Sequence, residues 1–330
     1  MSAAASPAGP DQPGWLDPEL ATLTQDRFSD PGWIFERKLD GERCLAFRSG
    51  GQVRLMTRNQ KEDTSTYPEI TGALAAQQAS DFILDGEIVA FDGSQTRFAR
   101  LQQRLGVRHP GPDLRAEVPV YYYIFDVLWA AGRDVRPLPL RQRKQILRDL
   151  LTFAGPLRFT EHQDTDGEAY FRQACANGWE GVIAKRADAP YRAGRTRDWL
   201  KFKCEAGQEF VIGGFTDPRG TRTGFGALLL GYYDPGQALI YAGKVGTGFT
   251  RQTLTSLHAR LTSLEQDQPP FHSGHLPRSG VHWVQPRLVA EVGFSEWTTA
   301  GELRHPRFQG LRDDKDPADV VRETPQDNTR

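Results

Sequence analysis

Glu36-Arg37-Lys38-Leu39-Asp40-Gly41-Glu42-Arg43 lies between two apolar runs, Trp33-Ile34-Phe35 and Cys44-Leu45-Ala46-Phe47. The pattern reads as a strand end that turns at Gly41 into a second strand. A lysine that performs covalent chemistry needs such a setting. Its free pKa of about 10.4 leaves almost no neutral amine at pH 7, and only burial or neighbouring cations shift the balance. Arg37, Arg43 and basic residues far downstream are candidates to lower the pKa of Lys38.

Working outward, the 330 residues leave room for two domains and an ample core. Hydrophobic content of 38% and charged content of 25% are those of a globular chain. Lys plus Arg, 41, nearly cancels Asp plus Glu, 42, so any nucleic-acid contact must come from a local patch. Cys44, Cys175 and Cys204 are widely spaced without a Cys-x-x-Cys pair, which argues against a zinc site and a disulfide framework. A reducing, intracellular setting is therefore the default expectation. Residues 1–18 read as a disordered lead-in, because the Ala/Ser/Pro/Gly-rich start has neither a basic end nor the apolar centre of a signal peptide. No apolar run reaches the length of a membrane-spanning helix.

The first domain is expected over 19–205. Gln52 to Met56 alternates as a half-buried strand and delivers Thr57-Arg58-Asn59-Gln60 at its end. Helices are expected at Glu69–Gln78, Arg97–Leu105, Arg141–Leu151 and Glu168–Asn177. Between them, Phe82–Phe91 reads as a strand pair bent at Gly86, and Val118–Leu128 as a β-rich run. Trp179–Arg186 and Asp198–Lys203 read as strands. After Cys204, over 206–322, about five short strands punctuated by Gly, Pro and Asp and one helix at Arg251–Leu264 suggest a small antiparallel barrel of the OB type. A short helix near Ala318–Arg322 and a frayed tail over 323–330 complete the expectation.

Charge concentrates in one later segment. Lys185, Arg186, Arg192, Arg195, Arg197, Lys201 and Lys203 are opposed only by Asp188 and Asp198. Lys201 and Lys203 stand two residues apart on a strand and so share a face, as a phosphate clamp requires. Glu87 and Glu180 adjoin glycines and precede apolar β-runs. Carboxylates in such places are costly unless they meet donors or cations, and magnesium beside a triphosphate takes one or two of them.

Together these residues resemble the covalent nucleotidyltransferase superfamily, and within it ATP-dependent DNA ligases, in particular bacterial ligases related to the ligase module of end-joining proteins. The resemblance is carried by Lys38-Leu39-Asp40-Gly41-Glu42-Arg43, Thr57-Arg58-Asn59-Gln60, Leu84-Asp85-Gly86-Glu87, Tyr122-Tyr123-Ile124-Phe125-Asp126, Glu180-Gly181-Val182-Ile183-Ala184-Lys185, Trp199-Leu200-Lys201-Phe202-Lys203 and Leu311-Arg312-Asp313-Asp314-Lys315, in family order. Gln60 departs from the pattern, standing where many relatives carry glycine.

The resemblance implies an α+β fold, an adenylyltransferase domain of antiparallel sheets flanked by helices followed by an OB-fold β-barrel. It implies that Lys38, with Asp40 in its motif, attacks the α-phosphorus of ATP and forms a lysyl-AMP. AMP then passes to the 5′-phosphate of nicked duplex DNA, and a 3′-hydroxyl displaces it. Lys201 and Lys203 would hold the α-phosphate, Glu87 and Glu180 would hold Mg2+ or Mn2+, and Arg312 and Lys315 would orient the leaving pyrophosphate. Glu36 would accept the adenine amino group, Phe125 would stack on the base, and Arg43 and Glu87 would contact the ribose. Arg58 would serve the bound nucleotide and, with Arg192, Arg195 and Arg197, grip the DNA backbone. A Ku-type end-binding protein is the candidate partner, the default assembly is a monomer, and the expected location is cytoplasmic, at the bacterial nucleoid. The rival readings are an RNA ligase of the same superfamily and a non-catalytic OB-fold DNA-binding protein.

Overall fold

In the computed structural model, which describes residues 11–324 apart from 205, 219 and 278, the strands on either side of Gly41 join different sheets. Asp30–Lys38 lies in a five-stranded sheet with the order Glu19–Leu23, Gly194–Lys203, Gly181–Arg186, Asp30–Lys38, His162–Thr165. Glu42–Ser49 lies in a seven-stranded sheet between Gln52–Thr57 and Asp81–Asp92, which in turn pairs with Val120–Ala130. Both sheets are mainly antiparallel, with parallel pairings where Glu19–Leu23 meets Gly194–Lys203 and where Leu157–Phe159 meets Val120–Ala130. The lysine turn is thus the crossing point from one sheet to the other.

Three apolar layers follow from strand alternation. Trp33, Phe35, Val182, Ala184, Leu200 and Phe202 point to one side of the first sheet and pack with Ala174 of the helix Gly167–Ala176. Cys44, Ala46, Leu84, Ile88, Tyr122 and Ile124 form the outer layer of the second sheet, covered by Ile70 and Leu74 of Pro68–Ala75 and by Leu147 of Leu140–Leu150. Leu45, Phe47, Ile83, Phe125 and Trp199 make the layer between the sheets. The chain divides into two units that part at Cys204 and Glu205. In the second, Ala206–Thr216, Leu228–Tyr233, Leu239–Val245 and Val281–Phe294 pair antiparallel and carry the helix Arg251–Thr262, the OB-type arrangement. Pairing is interrupted between Leu288 and Trp283, across Pro286, which has no amide to donate.

Several expectations are corrected. Asp81–Asp92 is one continuous strand and does not bend back at Gly86. A Cβ there would sit 2.6 Å from the Tyr123 carbonyl oxygen, so the glycine serves close strand approach at a bulge. The helix expected at Arg97–Leu105 is only Phe98–Leu101, and that near Ala318 is a 3-10 turn, Pro317–Asp319, started by the Asp316 side chain accepting from the Ala318 amide. Residues 11–18 are not a loose lead-in: Leu16 is buried between the sheets, and the Gln12 amide donates to the Arg48 carbonyl and to Asp81. Residues 1–10 and 325–330 lie outside the described residues, while Glu323 donates its amide to Gln208. Among the described residues no helix is long and apolar enough to cross a membrane.

Cys175 and Cys204 form a disulfide with Cα atoms 5.3 Å apart, against the expectation from their spacing. Sequence distance hides the pairing because the helix Gly167–Ala176 packs on the sheet whose strand ends at Lys203. The cysteines therefore lend no support to a reducing environment. Cys44 is free and buried, and burial raises its thiol pKa well above the usual value. Denatured without reductant, the protein should take up alkylating reagent at Cys44 alone, and reduction should cost about 3.6 kcal/mol of stability for a closed loop of this size. Uptake of three alkyl groups before reduction, read by mass spectrometry, would contradict the pairing.

Candidate active site

The register of three adjacent strands builds the site. Lys38 pairs with Gly181, which pairs with Lys203; Glu36 pairs with Ile183, then Lys201; Ile34 pairs with Lys185, then Trp199. Directly opposed residues share a face, so these rows stack one above another on the side of the first sheet that looks toward the second. Gly181 sits in the middle of the row Lys38–Gly181–Lys203 because a Cβ there would collide with the Phe202 carbonyl oxygen. The facing wall comes from the second sheet, where Arg43 pairs with Glu87 and Leu45 with Asp85.

Lys38 and Glu180 form an ion pair. Burial opposes the ammonium and Lys203 repels it, but the Glu180 carboxylate, aided by Glu87, carries the Lys38 pKa above its ordinary value. For Glu180 burial also opposes charge, yet Lys38, Lys203 and Lys201 hold its carboxyl below the usual range. The expected activation by Arg37 and Arg43 is not found. Arg37 points to the opposite face, 4.6 Å over Trp179, and Arg43 is clamped by both oxygens of Asp85. In this state Lys38 is an ammonium, and burial together with Lys203 acts against its charge.

At the other end of the face Glu36 is buried between two cations. Lys144, from the helix Leu140–Leu150, reaches Oε1, and Lys185 lies 2.6 Å from Oε2. Burial disfavours its charge, but the two lysines keep the Glu36 carboxyl below the usual range. Lys185 is itself lowered, first by burial and then by the neighbouring Lys144 against the pull of Glu36. Its ammonium lies 4.1 Å over Phe125 and 3.9 Å over Trp199.

The rings left undecided by the sequence now separate. Phe125 is skipped in the pairing between Asp126 and Ile124, and the bulge turns it to the inter-sheet side. Tyr121 and Tyr123 instead pack around Phe91. Phe125 is 7% exposed, with Arg43 and Lys185 over its ring, so it is a wall of the site rather than an open stacking platform. Ile183, between Glu36 and Lys201, is the partly exposed apolar residue of the sheet face.

Asp40 accepts from the Phe98 amide and its own amide donates to Thr96, which fixes the turn after Lys38. Arg58 is half-buried in the turn after Gln52–Thr57, and Gln60 adopts φ 60°, the conformation glycine favours, at the position of the departure noted above. Arg192 pairs with Asp198, and Arg195 donates to the Ala21 carbonyl; with Arg197 they lie exposed. In the second unit Arg312 is gripped by Asp314 and flanked by Glu291 and Glu209, and Lys315 lies 3.2 Å from Glu209. Sequence reasoning missed Lys144, the site role of Lys185, and the Arg43–Asp85–Tyr191 network that braces the second sheet. The signal for Lys144 was present: Leu140, Arg143, Lys144 and Leu147 fall on one helical stripe, and all four are buried.

For a metal, Glu87 and Glu180 both lie close enough to act on the charge of Lys38. Among the described residues no cage of three or more His, Cys, Asp or Glu forms, and magnesium at a triphosphate does not need one. The donor set therefore fits that ion.

Residues 18–203 match the family described as ATP dependent DNA ligase domain, and residues 221–315 match its C terminal region. The chain is 38% identical over 320 residues to the multifunctional non-homologous end joining protein LigD of Pseudomonas aeruginosa, covering 95% of this chain and 37% of that protein. It is 40% identical over 315 residues to the LigD of Mycobacterium tuberculosis, covering 93% of this chain and 40% of that protein. With the DNA ligase of Methanocorpusculum labreanum it shares 30% identity over 86% of the chain and 52% of the relative. The chain thus spans about two fifths of the LigD relatives. A solved structure of mycobacterial DNA ligase D complexed with ATP and MES superimposes with a TM-score of 0.67 at 36% identity, covering 93% of this chain and 98% of that one.

The ion pair makes a titration testable. Replacing Glu180 by Gln removes the main partner that raises Lys38 and leaves burial and Lys203, which lower it, opposed chiefly by Glu87. By NMR of 15N-labelled lysine the Lys38 midpoint should fall relative to the unmodified protein; an unchanged or higher midpoint would show that Glu180 does not control this amine.

Proposed function

The chain belongs to the family of ATP-dependent DNA ligases, and on that premise we propose that it seals 5′-phosphate/3′-hydroxyl nicks in duplex DNA through a lysyl-AMP at Lys38. The observation that carries this reading is the row Lys38–Gly181–Lys203 with Glu180 at its edge, which sets one amine, one clamp cation and one carboxylate together on a rigid sheet.

The first displacement joins the Lys38 nitrogen to the α-phosphorus of ATP and breaks the bond to pyrophosphate, and a proton leaves the amine. Attack requires the ion pair with Glu180 to open, because an ammonium has no free lone pair. Once it opens, burial and Lys203 favour the neutral amine. Lys201 and Lys203, fixed by their register opposite Ile183 and Gly181, hold the α-phosphate oxygens. Glu87 and Glu180 would hold Mg2+, which offsets negative charge on the phosphates. Lys315 meets the departing pyrophosphate, while Arg312, ringed by Asp314, Glu291 and Glu209, orders the loop that carries it. Glu36 reads the adenine amino group beside Ile183, and Arg43, Glu87, Phe125 and Arg58 shape the rest of the nucleotide pocket.

In the second displacement an oxygen of the nick's 5′-phosphate attacks the AMP phosphorus and the bond to the Lys38 nitrogen breaks, and in the third the 3′-hydroxyl oxygen attacks that 5′-phosphate, releases its proton to solvent and expels AMP. Arg192, Arg195 and Arg197, exposed on one segment, are the candidates to meet the DNA backbone, a contact that weakens as salt rises. Likeness to end-joining proteins supports a role in DNA repair by end joining; a Ku-type end binder as partner and a place at the cytoplasmic nucleoid are further parts of the same proposal.

Incubation with α-labelled ATP and magnesium should label the chain, and Lys38→Ala should reduce the label to background; label that survives the change places the nucleophile elsewhere. Lys315→Ala should slow self-adenylation by about tenfold, a loss near 1.4 kcal/mol of transition-state stabilisation, and spare sealing of a pre-adenylated nick. Equal losses in the two assays would remove Lys315 from the first step.

A further inference from the structure

We infer that Lys144 is a positioning residue for nucleotide choice, holding Glu36 where its carboxylate can accept from the 6-amino group of adenine. The inference rests on the reading of this face as an ATP pocket. It starts from an excess: a buried carboxylate needs one cation, and Glu36 has two. Lys185 comes from the neighbouring strand of the same sheet and already meets Oε2. Lys144 comes from a helix that packs on the second sheet, and it ties Oε1 to that side of the domain.

Lys144 is anchored as well as charged. Its ammonium also donates to the Thr160 carbonyl at 3.0 Å, and the Thr160 amide donates to the Ile124 carbonyl of the second sheet at 2.9 Å. A continuous chain therefore runs from the second sheet through Thr160 and Lys144 to Glu36, and on to Lys185 in the first. A glutamate has three rotatable bonds, and a carboxylate that discriminates by hydrogen bonding must be held to a fraction of an ångström. The Lys144 hydrogen bond on Oε1 fixes its plane, with the Lys185 charge 2.6 Å from Oε2 set outside hydrogen-bonding geometry, and a lone pair on each oxygen is left for an incoming donor. The 6-amino group of adenine can use one, whereas the 6-oxo group of guanine meets negative charge. An ammonium free to swing would donate to that oxo group and blunt the choice. Thr160 and Glu36 together keep Lys144 from doing so.

The test uses the full chain and binding by calorimetry without divalent metal, so that no transfer occurs. The probes are ATP and purine riboside triphosphate, which lacks the 6-amino group. The unmodified protein should prefer ATP by about tenfold, the scale of a hydrogen bond to a charged group. Lys144→Met should erase that preference while leaving affinity for purine riboside triphosphate within about twofold, and Lys144→Gln, which keeps a donor, should restore part of it. In a Glu36→Gln background Lys144→Met should add no further loss. Equal loss of both nucleotides, a preference that persists in Lys144→Met, additive losses in the double variant, or no preference in the unmodified protein would each overturn the inference. Preference lost as expected with no labelling of Lys38 would instead leave Lys144 in place and count against the ligase reading, while binding of neither nucleotide would overturn both.

Discussion

The structure depends on the register of three strands. With Lys38, Gly181 and Lys203 opposed across the first sheet, every alternate residue on either side falls into place: Glu36 and Lys201 flank Ile183, and Lys185 stands next to Trp199. A slip of one residue would turn these side chains into the apolar layer under the helix Gly167–Ala176 and bring Phe35, Val182 and Phe202 into the site. The apolar layer prevents it. Burial of the aromatic residues on one face is therefore what aligns the charges on the other.

Charge is distributed along that face in paired units. Lys38 faces Glu180 at one end, and Glu36 faces Lys144 and Lys185 at the other. Each carboxyl is held ionised against the cost of burial by cations within reach, so the site stores its charge as ion pairs and releases a group only when a partner is drawn away. A phosphate group that engages Lys201 and Lys203 competes for the cations that hold Glu180. The same logic operates in the second unit, where Arg312 stays inside a ring of Asp314, Glu291 and Glu209 and Lys315 stands at its margin.

Sequence alone determined the fold class, the order of the motifs and which residues to propose for the site, because those depend on local chemistry: a lysine before a turn, two lysines on one strand face, a glycine where strands crowd. What it misassigned depends on which segments meet. The Cys175–Cys204 bond, the packing of Leu16 and Gln12, and the turn of Phe125 at its bulge all join residues far apart in the chain or hinge on a single unpaired position. Arg37 and Arg43 were read as activators from proximity in sequence, yet one points away and the other is neutralised by Asp85. Lys144 shares the buried stripe of its helix with Leu140, Arg143 and Leu147, but the carboxylate it meets, Glu36, is fixed only once the helix is docked. Which groups carry the charge could be read from residue identity, but which of them are buried, and against what, was decided by the meeting of two sheets, since burial and pairing are properties of the packed chain and not of any stretch within it.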